Sequence, residues 1–184
     1  MKETIKIVSV LTIVCILCAF LLAFVNNAAR GQIASNDTKK IEDAIGKLAP
    51  LFKKTEKLNI AGEEIYKLFD AKGEVLGYAF LAKGDGYQGV IKVLAVINPQ
   101  IDKLEGIEII ESVETPGLGA RIKEDFFRNQ FKNLKVSVPI ECVKENITQD
   151  NQIKAISSAT ISSKSLVNIL NKKISELKKQ LANQ

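Results

Sequence analysis

Hydrophobic and polar positions follow three different patterns along this chain. The first is an unbroken apolar run. Ile7 to Val25 is 19 residues without a charge, and Ile5 to Val25 adds only Lys6, whose long side chain can reach back to an interface. About 20 apolar residues cross the hydrocarbon core of a bilayer, so the run predicts an N-terminal transmembrane helix. A cleaved signal peptide has a shorter apolar region of ~7–15 residues. Asn27-Ala28-Ala29 would still serve as a cleavage site, so a signal anchor and a cleaved signal both remain open, with run length favouring the anchor. Residues 26–36 are small and polar and predict a linker.

The second pattern is helical. Asp37 or Thr38 can cap a helix through about Leu48, with Ile41, Ala44, Ile45 and Leu48 spaced by three and four, and Pro50 stops it. Glu124 to Phe131 predicts a short helix with Phe126, Phe127 and Phe131 toward the core. Residues 163–182 give the clearest helix, with an apolar stripe of Leu166, Ile169, Leu170, Ile174, Leu177 and Leu181.

The third pattern has a period of two. Ile65 to Phe69 and Val75 to Ala82 predict two strands around the turn Asp70-Ala71-Lys72-Gly73. Val90 to Ile97 is almost wholly apolar, as in a strand covered on both faces. Leu104 to Ser112 predicts a further strand with Ile107, Ile109 and Val113 on one face. Val136 to Val143 predicts an edge strand interrupted by Pro139. The fold class is therefore α+β: an antiparallel or mixed sheet with flanking helices, preceded by one transmembrane helix. Residues 1–30 form the anchor and its flank, and residues 31–184 the folded domain.

Charge narrows the function. The net charge is +5, of which residues 1–30 carry +2. That leaves too little for a nucleic-acid footprint, and the C-terminal lysines (Lys172, Lys173, Lys178, Lys179) read as a solvated helix face. Lys2 and Lys6 before the span against Arg30 after it place the N-terminus in the cytoplasm and the domain outside.

Histidine is absent, which removes Ser-His and Cys-His catalytic pairs and His-ligated haem. Cys15 and Cys18 lie in the apolar run and Cys142 is alone beyond it, so no disulfide framework or metal spacing exists; neither a catalytic residue nor a metal ligand is assigned. Redox or group-transfer chemistry would have to come from a cofactor.

Two stretches carry candidate chemistry. Ser157-Ser158-Ala159-Thr160-Ile161-Ser162-Ser163 is a hydroxyl run before the last helix. Ser162 or Ser163 can cap that helix, and a helix N-terminus also holds phosphate. Helix capping alone is one sufficient reading of the run. Glu114-Thr115-Pro116-Gly117-Leu118-Gly119 is a preset bend, with Pro116 fixing one backbone angle and Gly117 free to take positive φ. Glu114 is either a loop-capping carboxylate or a ligand contact. Tyr87, in Gly86-Tyr87-Gln88-Gly89, is either a core aromatic or a stacking surface.

Taken together, these motifs resemble the signature of the FMN-binding domain family. Ala155 to Ser163 is similar to that family's Ala-Ile-Ser-Gly-Ala-Thr-x-Thr/Ser-Ser, and Glu114 to Gly119 matches its other hallmark at all six positions. Ser158 stands in place of the usual glycine, Lys154 in place of an aspartate, and Ser112 in place of a histidine often found two residues before the glutamate. The resemblance implies FMN joined covalently by its phosphate to Thr160, placed there from FAD by a flavin transferase. It implies a cofactor site flanked by Ser157, Ser158, Ala159 and Ser162, with Glu114, Thr115, Gly117, Leu118, Gly119 and Tyr87 beside the flavin. It further implies an electron-transfer subunit of a membrane-bound complex. The choices are an Rnf-type ion-translocating ferredoxin:NAD oxidoreductase or a sodium-pumping NADH:quinone reductase, and the expected partners are the other membrane subunits, membrane lipid and the transferase. The alternative outside redox chemistry is an anchored extracytoplasmic binding or assembly domain.

Overall fold

The computed structural model describes residues 2–60 and 63–182. Helix α1 spans Lys2–Leu48. Strands β1 (Lys54–Ile60), β2 (Glu63–Phe69), β3 (Val75–Asp85), β4 (Val90–Ile97) and β5 (Lys103–Ser112) follow. A 3-10 turn at Gly119–Lys123, the short helix α2 (Asp125–Arg128) and a second 3-10 turn at Asn129–Phe131 lead to β6 (Leu134–Lys135). Strands β7 (Glu141–Val143) and β8 (Gln152–Lys154) precede the last helix, α3 (Thr160–Ala182). The chain divides into two compact units, Met1–Lys40 and Ile41–Gln184.

The first unit is helical. Its segment Lys2–Ala29 contains an 18-residue window of mean hydropathy 3.0, none of it buried, and is long and apolar enough to cross a membrane. Thr12 donates its hydroxyl to the Val8 carbonyl at 2.8 Å, so this polar group is satisfied within the helix. Residues 26–36 are helical and do not form the expected linker. Ala28, Ala29 and Ala34 favour helix and the stretch contains no proline, so the polar residues and Gly31 weaken the helix without stopping it. No cap is therefore needed at Asp37 or Thr38; the Asp37 side chain lies outside the described residues.

The second unit is built on a six-stranded antiparallel meander in the order β1-β2-β3-β4-β5-β6. Short turns join β2 to β3, β3 to β4 and β4 to β5, so these sequence neighbours are spatial neighbours, and β6 reaches β5 after the two 3-10 turns and α2. In the Asp70 turn, Asp70 Oδ1 accepts from the N–H groups of Lys72 and Glu74, each at 2.8 Å. Strand β4 is covered on both faces, as its apolar run predicted. Ile91, Val93, Ala95 and Ile97 pack toward α3, Phe127 and Phe131, while Leu94 and Val96 pack with Ile41, Ala44 and Ile45 from the end of α1. On α3, Leu166, Leu170, Ile174 and Leu177 are buried, and Val167 joins them; the Leu181 side chain lies outside the described residues.

Several expectations are corrected. Strand β1 was not predicted, because it buries none of its described side chains and is defined by its ladder to β2 alone. Of the expected strand over residues 136–143 only β7 forms, parallel to β8; residues 136–140 around Pro139 are not strand, since proline cannot donate to a ladder, and the strand against β5 is β6, just before them. Phe126 is half exposed and sits 5.1 Å from the Arg121 guanidinium, while Phe127 and Phe131 make the core pair. Val113 is exposed. The C-terminal lysines do not form one solvated face: Lys173 is buried and Lys178 donates to the Val136 carbonyl at 2.5 Å.

Candidate functional site

The β3–β4 loop, the segment after β5 and the start of α3 meet at one end of the sheet. The meander brings the first two together, because Val113 donates its N–H to the Val90 carbonyl as β5 ends beside the start of β4. The chain then bends at Pro116-Gly117. The Leu118 N–H bonds the Thr115 carbonyl at 3.2 Å, and Gly117 has φ 74°, so this is the type II geometry that Pro-Gly predicts.

Glu114 ties the three segments. Its side chain is buried, and Oε1 accepts from the backbone N–H groups of Tyr87 at 2.7 Å and Gln88 at 3.2 Å. Oε2 accepts from the Ser162 hydroxyl at 2.7 Å. A side chain at Gly86 would overlap Oε1, and one at Gly119 would overlap Oε2 and Ser162 Oγ, so both positions have room only for glycine. Thr115 donates its hydroxyl to Gln88 Oε1. Of the two roles open to Glu114, loop capping is thus visible directly.

Helix α3 begins three residues earlier than its apolar stripe suggests. Thr160 lies in its first turn, and Ser162 and Ser163 are inside the helix and do not cap it. Ser163 has another role. Its hydroxyl accepts from the Ile156 N–H at 3.1 Å and donates to the Ala159 carbonyl at 2.9 Å, pinning loop 156–159 to the helix. The Ser163 N–H bonds the Ala159 carbonyl, so the N–H groups of Thr160, Ile161 and Ser162 are those with no helical carbonyl behind them. The Thr160 hydroxyl makes only a long 3.5 Å contact to the Ile156 carbonyl.

Around these groups is a cleft of about 350 Å³. It is lined by Tyr87, Glu114, Thr115, Leu118, Gly119, Ser157, Ser158, Ala159, Thr160 and Ser162, which is every candidate residue except Gly117, the bend behind it. Tyr87 is 67% exposed, which rules out the core reading of that side chain. Ile161 also lines the cleft and was not singled out, although it sits within the hydroxyl run. Gly86 and Gln88 were missed as structural partners of Glu114; their place beside Tyr87 was the available signal. An adjoining cleft of about 520 Å³ shares Ser157 and Ser158 and is lined by Arg121, Phe126 and Lys154. Among the described residues no His, Cys, Asp and Glu cluster could hold a metal.

The FMN-binding domain family matches residues 86–175, a span that takes in all three segments of the cleft. The chain is 30% identical over 156 residues to the G subunit of a proton-translocating ferredoxin:NAD(+) oxidoreductase complex from Clostridium ljungdahlii, covering 85% of this chain and 82% of that one. The chain belongs to the FMN-binding domain family. It is also 29% identical over 180 residues to the G subunit of an ion-translocating oxidoreductase complex from Methanosarcina acetivorans, with 92% of each chain covered. The fold is shared with the C subunit of the Na(+)-translocating NADH-quinone reductase from Parabacteroides distasonis, at a TM-score of 0.59 and 23% identity over 73% of this chain and 80% of that one.

Proposed function

We propose that the chain is the electron-carrying subunit of an Rnf-type ion-translocating ferredoxin:NAD oxidoreductase, and that it holds one FMN as a phosphoester of Thr160. The observation that carries this reading is the meeting, in one cleft, of Thr160 at the start of a 23-residue helix with the loop from Glu114 to Gly119. The residues fit the group. The first N–H groups of α3 and the positive end of its dipole suit a phosphate. The Thr160 hydroxyl is weakly engaged and can supply the ester oxygen, while Tyr87, Leu118 and Ile161 are exposed apolar surfaces for a ring system.

Bound there, FMN supplies the redox chemistry. The chain's own residues position it, and with no histidine in the sequence no proton relay is assigned. Attachment from FAD by a flavin transferase balances as a displacement: the Thr160 oxygen bonds to the FMN phosphorus, the phosphoanhydride bond breaks, AMP leaves and the hydroxyl loses its proton. An ester keeps the cofactor at high effective concentration beside partner centres. Lys2–Ala29 anchors the chain among lipid and the other membrane subunits, with the domain on the extracytoplasmic side.

Mass measurement tests the attachment. After co-expression with a flavin transferase, the peptide bearing Thr160 gains FMN and Thr160→Val gains nothing. An unmodified wild-type peptide from cells competent for the reaction overturns the proposal. Reporter fusions after Gln184 test the orientation: activity only outside the membrane is expected, and a cytoplasmic signal refutes that side.

A further inference from the structure

We propose that Glu114 lowers the redox potential of the flavin held in this cleft by keeping an uncompensated negative charge beside it. The proposal rests on the reading that FMN occupies the cleft. Glu114 is 6% exposed and contributes to the cleft wall that also carries Thr160. Its three partners are two backbone N–H groups and a serine hydroxyl. These donors stabilise the carboxylate without cancelling its charge, because none of them is a cation. Among the described residues, Arg121 pairs with Glu124, Arg128 with Glu108 and Asp125, Lys47 with Glu108 and Lys57 with Glu64. Arg121 and Lys154 line the adjoining cleft and not this one.

A fixed charge shielded from water acts more strongly on its neighbours than a solvated one. Reduction brings negative charge to the bound cofactor, so a buried anion at its side opposes reduction. A purely structural tie between loop and helix would need only hydrogen bonding, which a neutral side chain of the same shape also supplies. Glu114→Gln is that side chain. Its amide oxygen can accept from the Tyr87 and Gln88 N–H groups, and its amide nitrogen can donate to Ser162 Oγ, whose hydroxyl then turns away.

The test is a spectroelectrochemical titration of the flavin-loaded full chain in detergent. Glu114→Gln is expected to shift the midpoint potential positive. Ser162→Ala, which removes the tie and keeps the charge, is the comparison. An unmoved potential in loaded Glu114→Gln overturns the proposal, as does an equal positive shift in Ser162→Ala, which would assign the effect to geometry. Should Glu114→Gln fail to load, Glu114→Ala, which removes the tie and the charge together, decides against Ser162→Ala, which removes the tie alone: a positive shift beyond that of Ser162→Ala supports the charge argument and none beyond it overturns it. Wild-type protein that carries no flavin sinks the reading of the cleft itself, a result distinct from loaded protein whose potential does not respond to residue 114.

Discussion

Ser163 shows how much a single buried hydroxyl does near the cleft. It is fully buried and joins loop 156–159 to α3 through two hydrogen bonds. Ser163→Ala leaves the Ile156 N–H without its acceptor inside the core, which costs ~1–3 kcal/mol. A lowered melting temperature is expected, and a thermal unfolding curve superimposed on that of the wild type contradicts it. The sequence showed that serines cluster here but not what each one bonds. A serine preceding an apolar stripe reads as a cap, yet the helix starts upstream because the Ala159 carbonyl already accepts from the Ser163 N–H. Tyr87 was ambiguous for a related reason: a lone aromatic has no periodicity of its own, and only the fold of its loop puts it at the surface. Glu114 and Gly119 were legible as a motif, whereas their shared reason, an oxygen that leaves no room for a side chain, needed coordinates.

Elements with a one-sided apolar pattern were the legible ones. The stripe of α3 and the continuous run of β4 each follow from where the sheet needs cover. Leu170 sits at the centre of the α3 contact and is fully buried. Leu170→Ala is expected to destabilise by ~2–5 kcal/mol through lost burial and a residual cavity. Lys179→Ala, on the exposed side of the same helix, stays within ~0.5 kcal/mol. Denaturant titration of the two variants checks the contrast, and equal midpoints would remove α3 from the core. The elements that escaped prediction lack this signal. Strand β1 reads Lys54-Thr55-Glu56-Lys57-Leu58-Asn59-Ile60 and buries none of its described side chains, so no period marks it; its lysines instead guard an edge. Strands β7 and β8 have three residues each and pair in parallel across an intervening loop, too short for any pattern to appear.

At the scale of the whole molecule, the two units make opposite demands on solvent. Lys2–Ala29 exposes apolar side chains along its length, while Ile41–Gln184 has its own core. Removal of residues 1–40 is expected to give a detergent-free domain that unfolds cooperatively. Removal of residues 1–48 also takes Ile41, Ala44 and Ile45 and uncovers Leu68, Ala79, Leu94 and Val96, at a cost of about 1.5–3 kcal/mol for each large side chain involved. Calorimetry of the two truncations checks this, and equal stability refutes a packing role for the end of α1. This part of the helix was readable at 37–48 from the spacing of apolar residues; its continuation upstream was not, because Asn, Gly and Ser weaken a helix without forbidding it.

The Glu114–Ser162 bond spans 48 positions of sequence and joins the last helix to a loop formed much earlier in the chain. The amide protons of Tyr87 and Gln88 rest on that same carboxylate. Their exchange with deuterated solvent therefore follows the undocking of the Glu114 side chain from the loop, which the Ser162 hydroxyl on α3 helps to hold in place. Two backbone protons near the middle of the polypeptide become reporters of how firmly one carboxylate stays seated between distant parts of the chain.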